Sequence, residues 1–346
     1  MKTFLAGLLW PLSWVYALAV AIRNALYDAG WIQSKTFSSP VIGVGNISVG
    51  GSGKTPFCIH LIGKFRAEDK AVAYVSRGYG RTTRGALVVS PETSTRHGGD
   101  EAVMVARRFP EVPVVVAENR VSGVEKALQM TGEGALIILD DAFQHRAVTP
   151  GLQVVLLSGR DIRFPRWLLP AGRLREPLSA LRRADVVVWT KLQPPYPEVS
   201  KIQFHPRTLV LEGEVCITGF QAFPGGHVFE RPEGDAFFVF CGIGHPEHFL
   251  NTLRPWGKIC GKRMFADHHT YSENDFREIV TEFDMLPFQN KALVTTEKDW
   301  VKIRELDSWK SGLGKHILWV ARSEFQFKDV HQEELFYQKI HDTFRT

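Results

Sequence analysis

The run Ser48-Val49-Gly50-Gly51-Ser52-Gly53-Lys54-Thr55 constrains this chain more than any other stretch. An apolar strand pattern over 41–44 precedes it, and Phe57, Leu61 and Phe65 follow at four-residue spacing as the buried stripe of a helix. Strand, glycine-rich loop and helix in that order make a phosphate cradle. Glycines let backbone N–H groups converge on phosphate oxygens, and the helix amino terminus adds partial positive charge. Lys54 is placed to reach the β and γ phosphates and Thr55 to ligate magnesium. Gly50, Gly51, Ser52, Gly53, Lys54 and Thr55 are therefore the expected nucleotide-binding residues, with Mg2+ and ATP as the implied cofactors. Pro56 is tolerated in the first helical turn. Ser48 stands where the general pattern has its first glycine, and Gly50 and Gly51 supply the backbone freedom instead.

Such a loop needs an acidic group at the end of a neighbouring strand to hold the metal through its hydration shell. The apolar run 135–139 ends in Asp140-Asp141, and one of the two fills that role. Two loop aspartates capping a helix would be the plainer reading, but Phe143-Gln144-His145-Arg146 follows rather than a capping pattern.

At 346 residues the chain exceeds what one hydrophobic core usually serves, so two domains are expected. From Pro40 on, continuous apolar runs alternate with helical patterns, the signature of βα units on a mainly parallel sheet buried on both faces. Strands are expected at 41–44, 71–75, 87–89, 112–116, 135–139, 153–157 and 185–189. The run Gln193-Pro194-Pro195-Tyr196-Pro197 breaks the pattern, and the segment to about Gln221 reads as a strand pair turning near Gly213 and Gly219. A second α/β set has strands at 236–241, 258–264, 292–296 and 317–320. The expected division is an apolar segment over 1–38, a P-loop core over 39–205, a β linker over 206–221 and a smaller α/β domain over 222–346.

Cys58, Cys216, Cys241 and Cys260 are far apart, lie in no CxxC or Cys/His pattern, and read as buried thiols of a reducing compartment. A net charge of +5 fits an anionic partner without choosing among nucleic acid, lipid surface and nucleotide. From Phe4 to Ile22 there is no charge, close to the ~20 apolar residues that span a bilayer. A cleaved signal peptide is a poor fit, because a nucleotide site follows directly. Pro11, Ser13, Trp14 and Tyr16 interrupt a spanning helix, and aromatic residues favour the water interface. The reading adopted is a helix in or against the membrane, with Lys2, Arg23 and Lys35 available to anionic headgroups. An apolar helix packed on the protein's own core is the alternative.

P-loops serve kinases, GTPases and ATP-driven switches alike. Thr190-Lys191-Leu192-Gln193 lies where a guanine-reading element would be, but Gln193 replaces its aspartate. A kinase acting on an alcohol needs a group that takes the hydroxyl proton. Gly98-Gly99-Asp100-Glu101 offers Asp100, which is equally placed to cap the helix of Ala102, Val105, Ala106 and Phe109. Asp267-His268-His269 is the other candidate, with no Cys/His cluster beside it to support zinc. Arg160, Arg163, Arg166, Arg173, Arg175, Arg182 and Arg183 crowd one short segment. Most read as a solvated face, but Arg173 and Arg175 lie in a turn-rich element suited to an active-site loop. A nucleic-acid module would have this cluster as its one support, without an aromatic stacking motif.

Together the motifs resemble the tetraacyldisaccharide 4'-kinases. The resemblance is carried by Pro11-Leu12-Ser13-Trp14, Gly45-Asn46 leading into Gly50 to Pro56, Ser76-Arg77-Gly78-Tyr79-Gly80-Arg81 and Gly99-Asp100-Glu101. Asp140-Asp141-Ala142-Phe143-Gln144-His145, the run from Leu169 to Pro177, Gly242-Ile243-Gly244, Asp267-His268-His269 and Thr296-Glu297-Lys298-Asp299 continue it. That family also lacks a glycine at the position of Ser48, and often has glycine where Ala142 stands. The resemblance implies two α/β domains joined by a two-stranded linker. It implies γ-phosphoryl transfer to the 4'-hydroxyl of an acylated glucosamine disaccharide 1-phosphate at the cytoplasmic face of a Gram-negative inner membrane. By the same resemblance Asp100 acts as base with His268, and Lys54 is catalytic. Thr55, Asp140, Asp141 and Glu101 surround the metal. Asn46, Arg77, Gln144, Arg173 and Arg175 become substrate or phosphate contacts. The implied partners are the membrane glycolipid and the membrane surface, with no nucleic acid and no protein required. A nucleotide-dependent switch acting on a protein is the competing function.

Overall fold

The computed structural model describes residues 2–159, 162, 167–192, 202–311 and 316–344, with side chains from residue 9 onward. The Pro-rich run 193–197 and Arg160, Arg163 and Arg166 lie outside the described residues. The first half comprises α1 (Lys2–Asp28), β1 (Val41–Asn46), α2 (Lys54–Ala67), β2 (Val72–Ser76), β3 (Leu87–Val89), α3 (Thr95–Gly98) and α4 (Asp100–Arg108). It continues with β4 (Val114–Val116), α5 (Arg120–Thr131), β5 (Leu136–Asp140), β6 (Leu152–Ser158) and β7 (Val186–Thr190). The remainder comprises β8 (Leu209–Phe223), β9 (Val228–Phe229), β10 (Ala236–Cys241), α6 (Pro246–Leu253), β11 (Lys258–Met264) and α7 (Glu273–Met285), then β12 (Lys291–Thr296), α8 (Glu297–Ile303), α9 (Asp307–Lys310), β13 (Leu318–Phe327) and α10 (Val330–Phe344).

The chain adopts the expected mainly parallel α/β architecture. The strands follow one another as β3-β4-β2-β5-β1-β6-β7-β8-β13-β12-β10-β11, with β9 beside β8. Continuous Val, Ile and Leu runs suit strands covered on both faces. Alternate residues serve opposite sides: Ile42, Val44 and Ile138 pack with α2 and α4, while Val41, Ile137 and Leu139 pack with α5. In the second half Phe237 and Val239 face α6, and Phe238 and Phe240 face α7.

The expected strand pair before Gln221 is instead one fifteen-residue strand, β8. Leu209–Glu212 pairs parallel with β7, and Gly213–Phe223 pairs antiparallel with β13. The glycines taken as turn signals permit close approach. A Cβ on Gly213 would lie 2.2 Å from the Phe325 ring, and one on Gly219 would lie 2.9 Å from the Phe229 carbonyl oxygen. β13 also runs past the expected end near Val320 to Phe327. After it, α10 returns to the first half, where Phe336 and Ile340 enter the core around Phe57.

α1 is amphipathic in the reverse of the usual sense. Its polar side chains face the body: Ser13 Oγ donates to the Leu168 carbonyl and accepts from Ala171 N–H, both at 3.0 Å, and Tyr16 donates to the Arg175 carbonyl at 3.0 Å. Trp10, Leu12, Trp14, Val15, Leu18 and Ile22 are exposed, so the helix is not buried in the protein's own core. Leu9–Asp28 is long and apolar enough to cross a membrane, though length and composition alone do not make it do so. Two of the cations expected to meet headgroups are engaged within the protein: Arg23 with buried Glu176, and Lys35 with Glu125. Cys58 and Cys241 are buried as expected, but Cys216 and Cys260 are only half-buried; all four are free thiols.

Phe57 is the hub of the larger core, with edge-to-face contacts to Phe325 and Phe336 at centroid separations of 4.8 and 5.6 Å. Phe57→Ala should cost about 3–5 kcal/mol in urea unfolding. A loss below about 1 kcal/mol would show that α2, β13 and α10 do not share one core.

Candidate active site

The phosphate loop owes its shape to three features. Gly50 and Gly53 have φ of 115° and 91°, a region in which a side chain is strained. Ser48 needs no such freedom. It lies in extended pairing opposite Leu174, where Val49 N–H donates to the Arg173 carbonyl at 2.8 Å and Arg173 Nη2 donates to the Val49 carbonyl at 2.8 Å. At the loop's far end Thr190 Oγ1 donates to the Ser52 carbonyl at 3.0 Å and Lys191 Nζ donates to the Gly51 carbonyl. With these carbonyls drawn outward, the intervening N–H groups are left for the cradle. The Thr-Lys element excluded as a guanine reader thus buttresses the loop.

Facing the loop is the end of β5. Asp140 is buried, and its carboxylate accepts from Tyr74 OH at 2.6 Å and from Asp141 N–H at 2.7 Å. Burial, reinforced by the nearby Glu101 charge, raises its pKa to about 6. Asp141 has the opposite fate. Burial pushes it up, but Lys54 at 3.5 Å and Arg175 at 3.0 Å hold it down to about 2. Gln144 bridges behind this pair, donating to the Asn46 carbonyl at 2.8 Å. Both polar atoms of the Asn46 amide and Ser52 Oγ are buried without a hydrogen-bond partner. Buried polar atoms left this way are costly in the absence of a ligand or water.

The second acidic group is Asp100, and it meets His268 across the two halves. His268 Nδ1 lies 2.9 Å from Asp100 Oδ2. Gly99, with φ of 83°, is the N-cap of α4 and carries no capping side chain, so Asp100 is the first helical residue rather than the cap. Its Oδ1 accepts Glu101 N–H at 2.9 Å. Burial raises the Asp100 pKa, but the His268 hydrogen bond and the Lys298 and Lys302 charges outweigh it, leaving the carboxyl well below its ordinary range. The Asp100 hydrogen bond conversely raises His268, against burial and Lys298. His269 points elsewhere, 3.2 Å from Asp275 and stacked on Phe265.

A cleft of about 470 Å³ gathers most of the expected residues: Gly50 to Thr55, Arg77, Glu101, Asp140, Asp141, Arg175 and His268. Asp100 sits behind His268, Arg173 flanks Gly50, and Asn46 and Gln144 lie behind the Asp140-Asp141 turn. Asp141, Lys191 and His268 have φ of 50°, 53° and 59°, and all three line the cleft. Strain of this kind collects at functional sites. Arg182 and Arg183 instead contact Gln203 and Glu176. Among the described residues no group of three or more His, Cys, Asp or Glu could by itself hold a metal. Sequence reasoning gave no role to Tyr79, 4.9 Å from the His268 ring, or to Lys298 and Lys302 beside Asp100. The two lysines had a signal, namely four-residue spacing on a helix otherwise apolar at Trp300, Val301 and Ile303.

Residues 5–341 match the family model of LpxK, described as tetraacyldisaccharide-1-P 4'-kinase. The chain belongs to that family. It is therefore a phosphotransferase with an alcohol acceptor. A tetraacyldisaccharide 4'-kinase of Chlorobaculum tepidum is 38% identical over 313 residues, covering 87% of each chain. One of Bacteroides thetaiotaomicron is 36% identical over 313 residues, covering 85% of this chain and 82% of the relative. The "apo" form of LpxK from Aquifex aeolicus, solved in complex with ATP, superposes with a TM-score of 0.76 at 30% identity, covering 98% of this chain and 99% of that one. These relatives do not favour the nucleotide-switch alternative. In a kinase of this family the outward pull on the loop carbonyls bears directly on donor binding. Thr190→Val leaves the Ser52 carbonyl unpaired, so nucleotide affinity should fall about tenfold in calorimetry, equivalent to ~1.4 kcal/mol. Unchanged affinity would show that the loop holds its shape without the buttress.

Proposed function

We propose that the chain transfers the γ-phosphoryl group of ATP to the 4'-hydroxyl of a tetraacylated glucosamine disaccharide 1-phosphate, in lipid A biosynthesis, at the surface of a bacterial inner membrane. The observation that carries the mechanism is the Asp100–His268 pair, contributed by both halves, with His268 lining the same cleft as the phosphate loop and Asp100 directly behind it. Asp100 accepts the proton as the acceptor O–H bond breaks. The acceptor oxygen then bonds to the γ phosphorus, and the bond from that phosphorus to the β–γ bridging oxygen breaks to release ADP. His268 orients the carboxylate and stabilises its charge. Lys54 and Arg175 flank Asp141 on the opposite wall, where equatorial phosphate charge is to be met. Asn46, Arg77, Gln144 and Arg173 remain as substrate or phosphate contacts.

The donor set suits a hard divalent cation that keeps part of its hydration shell: the Thr55 hydroxyl and the carboxylates of Asp140, Asp141 and Glu101. The raised pKa of Asp140 supports this, since a carboxylate disfavoured by burial and by the Glu101 charge gains from a cation beside it. Magnesium, when bound, would neutralise charge on the β and γ phosphates.

The outward apolar face of α1 supports monotopic attachment. Its inward face is fastened to the 168–176 loop that also carries Arg173 and Arg175, which sets the membrane contact beside the cleft. Acyl chains leave a bilayer at a cost of ~0.8 kcal/mol per methylene, so an enzyme for such a substrate gains by coming to it.

Labelled γ-phosphate should pass to the disaccharide in detergent micelles with wild type. Asp100→Ala should lower turnover by ~10²-fold or more with little change in ATP affinity, and full turnover in that variant would remove Asp100 as the base. Trp14→Glu with Leu18→Glu spares the inward contacts of α1. It should reduce vesicle co-sedimentation about tenfold or more while nucleotide binding holds, and unaltered sedimentation would remove the anchor.

A further inference from the structure

The run Thr296-Glu297-Lys298-Asp299 has its residues in separate tasks. Thr296 caps α8, accepting Asp299 N–H at 3.1 Å and donating to the Asp299 carboxylate at 2.7 Å. Asp299 is fully buried and accepts Gly242 N–H at 3.1 Å, while His268 N–H donates to the Gly242 carbonyl at 3.1 Å. The start of α8 and the backbone of His268 are thus registered on the same glycine. Glu297 reaches across to Arg108 of α4 at 3.2 Å. These contacts leave Lys298 and Lys302, one turn apart, on the side of α8 that faces Asp100.

We propose that Lys298 and Lys302 are positioning residues of the catalytic pair, Lys298 fixing the tautomer of His268 and Lys302 pinning the Asp100 carboxylate. The inference rests on the reading of Asp100 and His268 as that pair. An ammonium group can only donate. Lys298 Nζ lies 3.2 Å from His268 Nε2, so Nε2 of the neutral ring must be the bare nitrogen. Its one proton is then on Nδ1, aimed at Asp100 Oδ2 2.9 Å away. In the other tautomer an N–H would confront the ammonium and a lone pair would confront the carboxylate. Lys298 is itself held 3.2 Å from Glu101 and 3.8 Å from Asp267, so it is aimed from two sides. Lys302 lies 3.3 Å from Asp100 Oδ2, is almost fully buried, and has Asp299 at 3.9 Å as its other acidic neighbour. Its charge opposes rotation of the carboxylate away from the ring. A wrong tautomer or a rotated carboxylate leaves nucleotide binding intact and removes proton acceptance, the pattern expected of a misplaced catalytic group.

The test is made on the full chain with ¹⁵N-labelled histidine, the pH being raised until the His268 ring signals stop shifting so that the neutral ring is read, and those signals being assigned by their loss in His268→Gln. Wild type should show the proton on Nδ1. Lys298→Met should show mixed tautomers, kcat lowered by ~10²-fold, and KM for ATP within about threefold of wild type. Lys302→Met should lower kcat with the Nδ1 tautomer retained. Should it fail to fold, Lys302→Gln, which keeps a donor, should fold with a smaller kcat loss than Lys298→Met. A wild-type proton on Nε2, or Lys298→Met with unchanged kcat, overturns the proposal while Asp100→Ala stays inactive. Full turnover in Asp100→Ala instead removes the underlying reading of the pair.

Discussion

The ladder between β8 and β13 is the contact on which the cleft depends, because β8 belongs to both halves of the sheet. Its first residues extend the parallel strands that carry the phosphate loop, and its remainder extends the strands that carry His268 and α8. A one-residue slip would turn every side chain to the wrong face. The register is fixed where Gly213 lets the Phe325 ring lie against the backbone, and Phe325 in turn packs on Phe57, directly behind the loop. Hydrophobic packing at the hub therefore sets the position of polar groups that it never touches.

Two charge clusters face each other across the cleft, and apart from Asp267 their residues have limited solvent access. Around the β5 end, Asp141 pairs with both Lys54 and Arg175 while Asp140 is buried beside it. Across the cleft, Asp100, Glu101 and Asp267 share Lys298, and Lys302 pairs with Asp100. Buried ion pairs add little net stability, yet loss of one member strands the other at a cost of about 3–5 kcal/mol. Such clusters specify geometry more than they stabilise the fold. The difference between Asp140, pushed up, and Asp141, held down, follows from which of the two the cations reach.

Much of this was legible in the residues. The phosphate loop, its flanking strand and helix, and the Asp140-Asp141 turn carry local signals, because glycine freedom and continuous apolar runs act over a few residues. The pairing of Asp100 with His268 came from family resemblance, since nothing local to either residue points to a partner 168 positions away. β8 was misread because its partner is equally remote and because a glycine for close approach looks like a glycine for a turn. Lys298 and Lys302 were passed over since lysines on a helix ordinarily mark its wet face. The polarity of α1 was likewise hidden: an apolar run says nothing about whether its few polar residues face water or the protein.

That polarity has a kinetic meaning. A helix that turns Ser13, Tyr16 and Asn24 inward and its tryptophans outward would, on the proposed attachment, hold the cleft mouth at a fixed height against a sheet of lipid. Encounter with an acylated acceptor would then be a search in two dimensions. Its rate would be set by the acceptor's mole fraction among the surrounding lipids rather than by its amount per volume of cell, and diluting the surface with inert lipid would slow the enzyme even with total substrate unchanged.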